Sequence, residues 1–164
     1  MEMILREVEQ ALSARLYYLA ITMTFALPDI CAALESADGA TNPDRYRAWY
    51  DANLAVQYPV ITAQDCYCWR CGVLHQGRFG HPGSQYSRIV FTMPNAKRVS
   101  IHGVILSDAL NLDADQFCRD VVAAVRAWFA AKGNDSNVRA NYPRLVQFRP
   151  DGLLPYIKGL PVIA

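Results

Sequence analysis

The chain has 164 residues, a net charge of +1, 52% apolar residues and 19% charged ones. That length accommodates one domain with a full core, and the composition excludes a disordered chain and a generic polyanion binder. Glu2, Glu7 and Glu9 stand where a secretory leader would be basic, and the uncharged stretch 16–28 is shorter than the ~20 residues of a membrane span, so the expectation is a buried helix and no membrane partner.

Leu5, Val8, Leu12, Leu16, Leu19 and Met23 recur at steps of three and four, which predicts one long amphipathic helix broken by Pro28. A short helix over 29–37 follows, stopped by Asp38-Gly39. Asn42-Pro43 is an N-cap followed by proline at the first helical position, and it opens a third helix carrying Tyr46, Trp49, Tyr50 and Leu54 to a stop before Pro59. Thr62 and Asp65 have the spacing of a capping box for a fourth helix leading into Arg70. Gly72, Gly77, Gly80 and Gly83 then erode it into a loop. Segments 88–93 and 99–106, rich in β-branched residues around Pro94-Asn95-Ala96, predict a β-hairpin inserted at about 87–106. Asp113 and Gln116 start the last long helix, with Phe117, Val121, Val125 and Trp128 on one face and Gly133 at its end. Tyr17, Tyr18, Phe25, Trp49 and Trp128 occupy apolar helix faces and are assigned to the core. Residues 134–164 hold Pro143, Pro150, Pro155 and Pro161 among apolar side chains, which predicts an extended arm packed on the body or on a second subunit. The expected fold is therefore mainly all-α: an antiparallel bundle of about five helices over 1–133, with the hairpin inserted, and an extended C-terminal arm over 134–164.

Charge is unevenly distributed. Residues 1–65 hold four basic and nine acidic side chains, whereas residues 66–107 hold Arg70, Arg78, Arg88, Lys97 and Arg98, all three histidines and no carboxylate. The middle segment is a candidate anion-facing surface, with a solvated loop as the plainer explanation. Five cysteines at irregular spacing argue against a disulfide framework and for a reducing, cytoplasmic setting.

The sharpest chemical feature is Arg70, four intervening residues and His75. Arginine is a permanent cation with a fork of donors suited to phosphate, and histidine exchanges protons near neutral pH. Together they have the groups needed for metal-free RNA cleavage, His75 taking the ribose 2′-hydroxyl proton and Arg70 stabilising the phosphorane. On an ideal helix, five residues apart means about 140° apart, so the pair meets only if the helix ends at Gly72 or two subunits combine. Set against this is an ordinary surface arginine and a capping or core histidine. Arg78 and His81, just past the motif, are candidate phosphate contacts.

A metal site is the second candidate. Cys66, Cys68, Cys71 and His75 are zinc-type ligands, but structural zinc sites usually draw two ligand pairs from separate elements and no second pair is present. Buried cysteines acting as small hydrophobes are the favoured explanation, so no metal and no cofactor are expected.

The string Tyr67-Cys68-Trp69-Arg70-Cys71-Gly72-Val73-Leu74-His75-Gln76-Gly77, late in a set of helices, resembles the HEPN superfamily of small prokaryotic helical proteins. The resemblance spans residues 5–131 loosely, and its specific part is the arginine-to-histidine motif. It implies a metal-independent endoribonuclease of toxin or phage-defence type, a homodimer with facing motifs, Arg70 and His75 as catalytic pair, and RNA, a nucleotide, an antitoxin or another protein as partner. Two positions depart from the family pattern. Cys71 stands where active members commonly have Asn, Asp or His, which makes it a modest RNA contact, and Gly77 replaces the tyrosine modified in one toxin branch. A catalytically silent HEPN-like dimeric module is the alternative.

Overall fold

The computed structural model describes residues 1–94 and 99–164. Among them, six α-helices precede or flank small sheets, and about 52% of the chain is helical, so the fold is a helix-dominated mixed α/β structure rather than an all-α one. The helices are α1 (Glu2–Ser13), α2 (Tyr17–Glu35), α3 (Pro43–Asn53), α4 (Ala63–Gln76), α5 (Ala114–Lys132) and α6 (Ser136–Asn141). The strands of the main sheet are β1 (Arg88–Thr92), β2 (Val104–Leu106) and β3 (Ala109–Asp113).

The first apolar stripe is two helices, not one. The chain leaves α1 through Arg15 at φ 60, with Leu16 N–H bonded to Ala11 O and Arg15 N–H to Leu12 O. This is a Schellman-type stop. It is built on an arginine instead of the usual glycine, so the sequence carries no breaker to mark it. Pro28, expected as the break, lies buried inside α2. The helix continues because α1, α3, α4, α5 and α6 all pack against it, and that burial outweighs the ~3 kcal/mol cost of an internal proline. α2 is long and apolar enough by length and composition to cross a membrane, but half of that stretch is buried inside the fold.

The expected caps of α3, α4 and α5 form: Asn42 accepts from Arg45 N, Thr62 and Asp65 make a reciprocal capping box, and Asp113 accepts from Gln116 N. The third helix stops at Asn53 and continues as turns to Gln57. Gly72 does not end the fourth helix, which runs on to Gln76 and stops at Gly77 in the left-handed conformation, φ 65.

Segments 88–93 and 99–106 do not pair as a hairpin. β3 sits between them, parallel to β1 and antiparallel to β2. The tight turn lies at Ser107-Asp108, where Ser107 has φ 57, and not at Pro94-Asn95-Ala96, of which Asn95 and Ala96 lie outside the described residues along with Lys97 and Arg98. β3 takes the centre because Leu110 and Leu112 are fully buried, while β2 is exposed along its length. The aromatic core of Phe25, Phe91, Phe117 and Trp69 joins α2, β1, α5 and α4. Tyr18, expected in the core, is half exposed.

The C-terminal segment is less extended than expected. α6 docks on the end of α2 through Asn141, which donates to Leu34 O and Ser36 O. Beyond it, β4 (Phe148–Arg149) pairs with β7 (Val162–Ile163), and β5 (Gly152–Leu153) pairs with β6 (Ile157–Lys158).

Candidate active site

α4 is fixed in rotation before it presents anything to solvent. Its first turn is anchored by Asp65, whose carboxylate receives Thr62, Ser84 and both the backbone and side-chain amides of Gln85. Burial alone would raise the Asp65 pKa, but these bonds outweigh it and hold the group below its usual 3.8. One turn on, Trp69 is fully buried edge-on to Phe25, and the Cys66 thiol contacts the buried Tyr46 hydroxyl at 3.3 Å. With those side chains inward, the next residue, Arg70, lies over the α2 surface.

Arg70 Nε donates to Asp29 Oδ2 at 2.5 Å, and the two side chains keep only 20% and 12% of their surface. Thr41 Oγ1 donates to the other Asp29 oxygen at 3.4 Å. Burial acts against the Arg70 charge, but the Asp29 carboxylate more than compensates and the guanidinium pKa is raised. Arg70 Nη1 lies 3.2 Å from His75 Nε2. A guanidinium has donors and no acceptor, so Nε2 must be the acceptor, and the neutral imidazole carries its proton on Nδ1. The two residues therefore meet within one continuous helix. The long arginine side chain spans the angular offset, and neither a helix break nor a second subunit is required. His75 is exposed, so its Nε2 is accessible to a ligand that displaces the arginine.

Cys71 is half-buried, with Sγ 3.9 Å from Arg70 Nη1. Burial, then the Cys71 thiol, pushes the Tyr67 phenol pKa up. The Arg47 guanidinium lies 5.6 Å from the Tyr67 ring centre and is paired with Asp44.

Arg78 and His81 sit on the loop after α4 and line a surface cavity of about 410 Å³ with Pro82, Ser84, Gln85 and Tyr86. The His81 ring accepts Gly83 N–H at Nδ1, 3.0 Å, which leaves its Nε2 proton outward. Neither residue hydrogen-bonds to Arg70 or His75 among the described residues. The link between the two regions is Gly72: a Cβ there would lie 2.8 Å from the carbonyl oxygens of Arg78 and Gly80, so only glycine lets the loop fold back on α4.

The cysteines do not assemble with His75. Cys66 is buried against Tyr46, Cys68 Sγ accepts from Gln64 at 3.1 Å, and no group of three or more His, Cys, Asp or Glu side chains is placed to hold a metal among the described residues. The residue that sequence reasoning missed is Asp29. Its signal was a carboxylate in the middle of a mostly apolar helix, where burial demands a partner. No family model, curated protein or solved structure matches this chain.

Proposed function

We propose that the protein is a HEPN-like metal-independent endoribonuclease built on a helical bundle, acting as a homodimer of toxin or defence type in a reducing cytoplasm. The observation that carries this reading is the 3.2 Å contact between Arg70 Nη1 and an exposed, acceptor-state His75 Nε2. RNA entering the site takes both groups out of that contact. The 2′-hydroxyl gives its proton to Nε2 as its oxygen attacks the adjacent phosphorus, and the P–O5′ bond breaks to leave a cyclic phosphate, the 5′-oxygen departing with the proton returned by the imidazolium. Arg70, held charged and oriented by Asp29, offers Nη donors to the phosphorane oxygens. Arg78 and His81 supply a further phosphate contact on the cavity that they line, and Cys71 is a modest RNA contact beside Arg70.

A second reading is a catalytically silent module of the same fold that binds RNA, a nucleotide or a protein partner such as an antitoxin. Asp29 favours it, since the carboxylate already engages one edge of the guanidinium.

The test is RNA cleavage in excess chelator by the wild type and by His75→Ala, Arg70→Lys and Arg78→Ala. Wild type should yield cyclic-phosphate ends. His75→Ala should lose at least about 100-fold, the usual contribution of a general base. Arg78→Ala should weaken RNA binding with little change in kcat. Equal background cleavage in all samples, with RNA binding retained, would select the silent module.

A further inference from the structure

Two thiols flank the arginine of the candidate site. Cys68 and Cys71 are three residues apart on α4, so they share a face, with Cβ atoms about 5–6 Å apart. Helical side chains lean toward the N-terminus, which carries the Cys71 sulfur over the turn that holds Tyr67 and Cys68. Two electrostatic effects agree with that placement. Burial first, and then the Cys71 thiol, raise the Tyr67 phenol pKa. Burial is also the largest influence on Cys68, and the Cys71 charge adds to it, so the Cys68 thiol is pushed up against the opposing effect of the Gln64 amide. Cys66 faces the other way, as residues two apart on a helix do, and its thiol contacts Tyr46 in the core. Cys31 and Cys118 are buried on α2 and α5. The two sulfurs of the pair differ in access. Cys68 is only 1% exposed: Gln64 Nε2 donates to its Sγ at 3.1 Å, and a Cβ on Gly83 of the covering loop would lie 3.0 Å from that sulfur. Cys71 is half-buried, with Arg70 Nη1 3.9 Å from its Sγ. Partial exposure beside a permanent cation, with a shielded thiol one turn away, is the arrangement of a peroxide-sensing cysteine and its resolving partner.

We infer that Cys68 and Cys71 are a peroxide-reactive dithiol, and that the disulfide they form takes Arg70 out of its contact with His75. The Cys71 thiolate attacks one oxygen of hydrogen peroxide, the O–O bond breaks, and the departing hydroxide leaves as water with the proton that Cys71 gave up. The Cys68 thiol then displaces hydroxide from the Cys71 sulfenic acid, and the Cys68 proton leaves with that hydroxide as a second water. Two thiols and one peroxide become one disulfide and two waters, the sulfurs supplying the electron pair that the O–O bond receives. A disulfide needs Cβ atoms about 3.5–4.5 Å apart, closer than an undistorted helix holds them. The turn before Cys71 is fixed by buried Trp69 and by the bonds to Asp65, so the exposed turn after it, which carries His75, is the part that yields. The 3.2 Å contact between Arg70 and His75 spans that bend and is lost. In the reducing cytoplasm proposed above, thiol exchange returns the pair to its reduced form, so the bond is transient. The candidate site is thus assembled only while both thiols are free. The inference stands independently of ribonuclease activity, since neither the oxidation nor the contact involves RNA.

Oxidation of the full chain tests it, with hydrogen peroxide as the probe and dithiothreitol as the reversal. Trypsin cuts after Arg70, so the disulfide should join peptides 48–70 and 71–78, and fragmentation should place it on Cys68 and not on Cys66. Cys68→Ser should instead accumulate a Cys71 sulfenic acid that a dimedone probe labels. Cys71→Ser should acquire neither a disulfide nor a label at Cys68. The imidazole nitrogen resonances of His75 should shift when the wild type is oxidised, return with dithiothreitol, and stay in place in peroxide-treated Cys71→Ser. A treated wild type without that disulfide, a bond to Cys66 or to another chain, or an unchanged His75 signal in the disulfide form would each overturn the inference, whatever the RNA-cleavage result.

Discussion

Asp29 and Arg70 are a partly desolvated ion pair, and removing one member strands the other. Arg70→Ala should therefore destabilise the fold by about 2–3 kcal/mol, toward the low side of buried pairs because Arg70 keeps some solvent contact. Exposed His75 makes no other hydrogen bond among the described residues, so His75→Ala should change stability by less than about 0.5 kcal/mol. Urea melts of the two variants check this. Equal losses would mean that the Asp29 contact does not hold in solution. The same asymmetry makes His75 the cleaner position for testing catalysis, and makes Arg70→Lys more informative than Arg70→Ala. The arginine and histidine were legible in the sequence from their chemistry and spacing. Their contact was not, because a helical projection tracks Cα directions and ignores the reach of an arginine side chain.

At the scale of elements, caps were more legible than breaks. Asn42, Thr62 with Asp65, and Asp113 each satisfy orphan amides with their own side chains, so local sequence suffices. Breaks depend on tertiary competition: α2 runs through Pro28, while α1 stops at Arg15. Gly72 is a third case. Helix propensity alone predicts that Gly72→Ala gains about 1 kcal/mol. The Cβ would instead meet two backbone carbonyls at 2.8 Å, so the substitution should cost on the order of 1–3 kcal/mol and displace the loop carrying Arg78 and His81. Thermal melts read the first effect, and on the proposed ribonuclease reading a weakened RNA affinity reads the second. A stabilised variant would show that the loop does not pack on α4.

For the molecule as a whole, the titrating groups bracket a stability plateau. Asp65, Glu2 and Glu9 have folded pKa values below their ordinary 3.8 and 4.5. A depressed carboxylate contributes stability above its unfolded pKa and loses it as pH falls through the folded one, so stability should drop below about pH 4.5. Burial pushes the Cys66 and Cys118 thiols up to about 12 from 9.0. Between those values the unfolded chain ionises while the folded one does not, so stability should also decline from about pH 9 upward. Denaturant midpoints measured from pH 3 to 11 should trace a dome. A midpoint that stays flat through pH 9–11 would mean that these thiols are solvated.

Composition, amphipathic period and cap chemistry were enough to establish a helix-rich core and the approximate places of α3, α4 and α5, because each rests on interactions within a few residues; residue chemistry and spacing also made segment 69–77 a candidate site. What only tertiary structure decided rests on contacts between distant segments. The hydrogen-bonding demand of Asp29 is met by Arg70, 41 positions away. β3 displaces the expected hairpin because Leu110 and Leu112 gain more burial at the sheet centre than β2 does. The arm folds into short ladders yet keeps its apolar side chains outward. Local rules register that such residues are apolar, but what they are buried against is set by the whole chain.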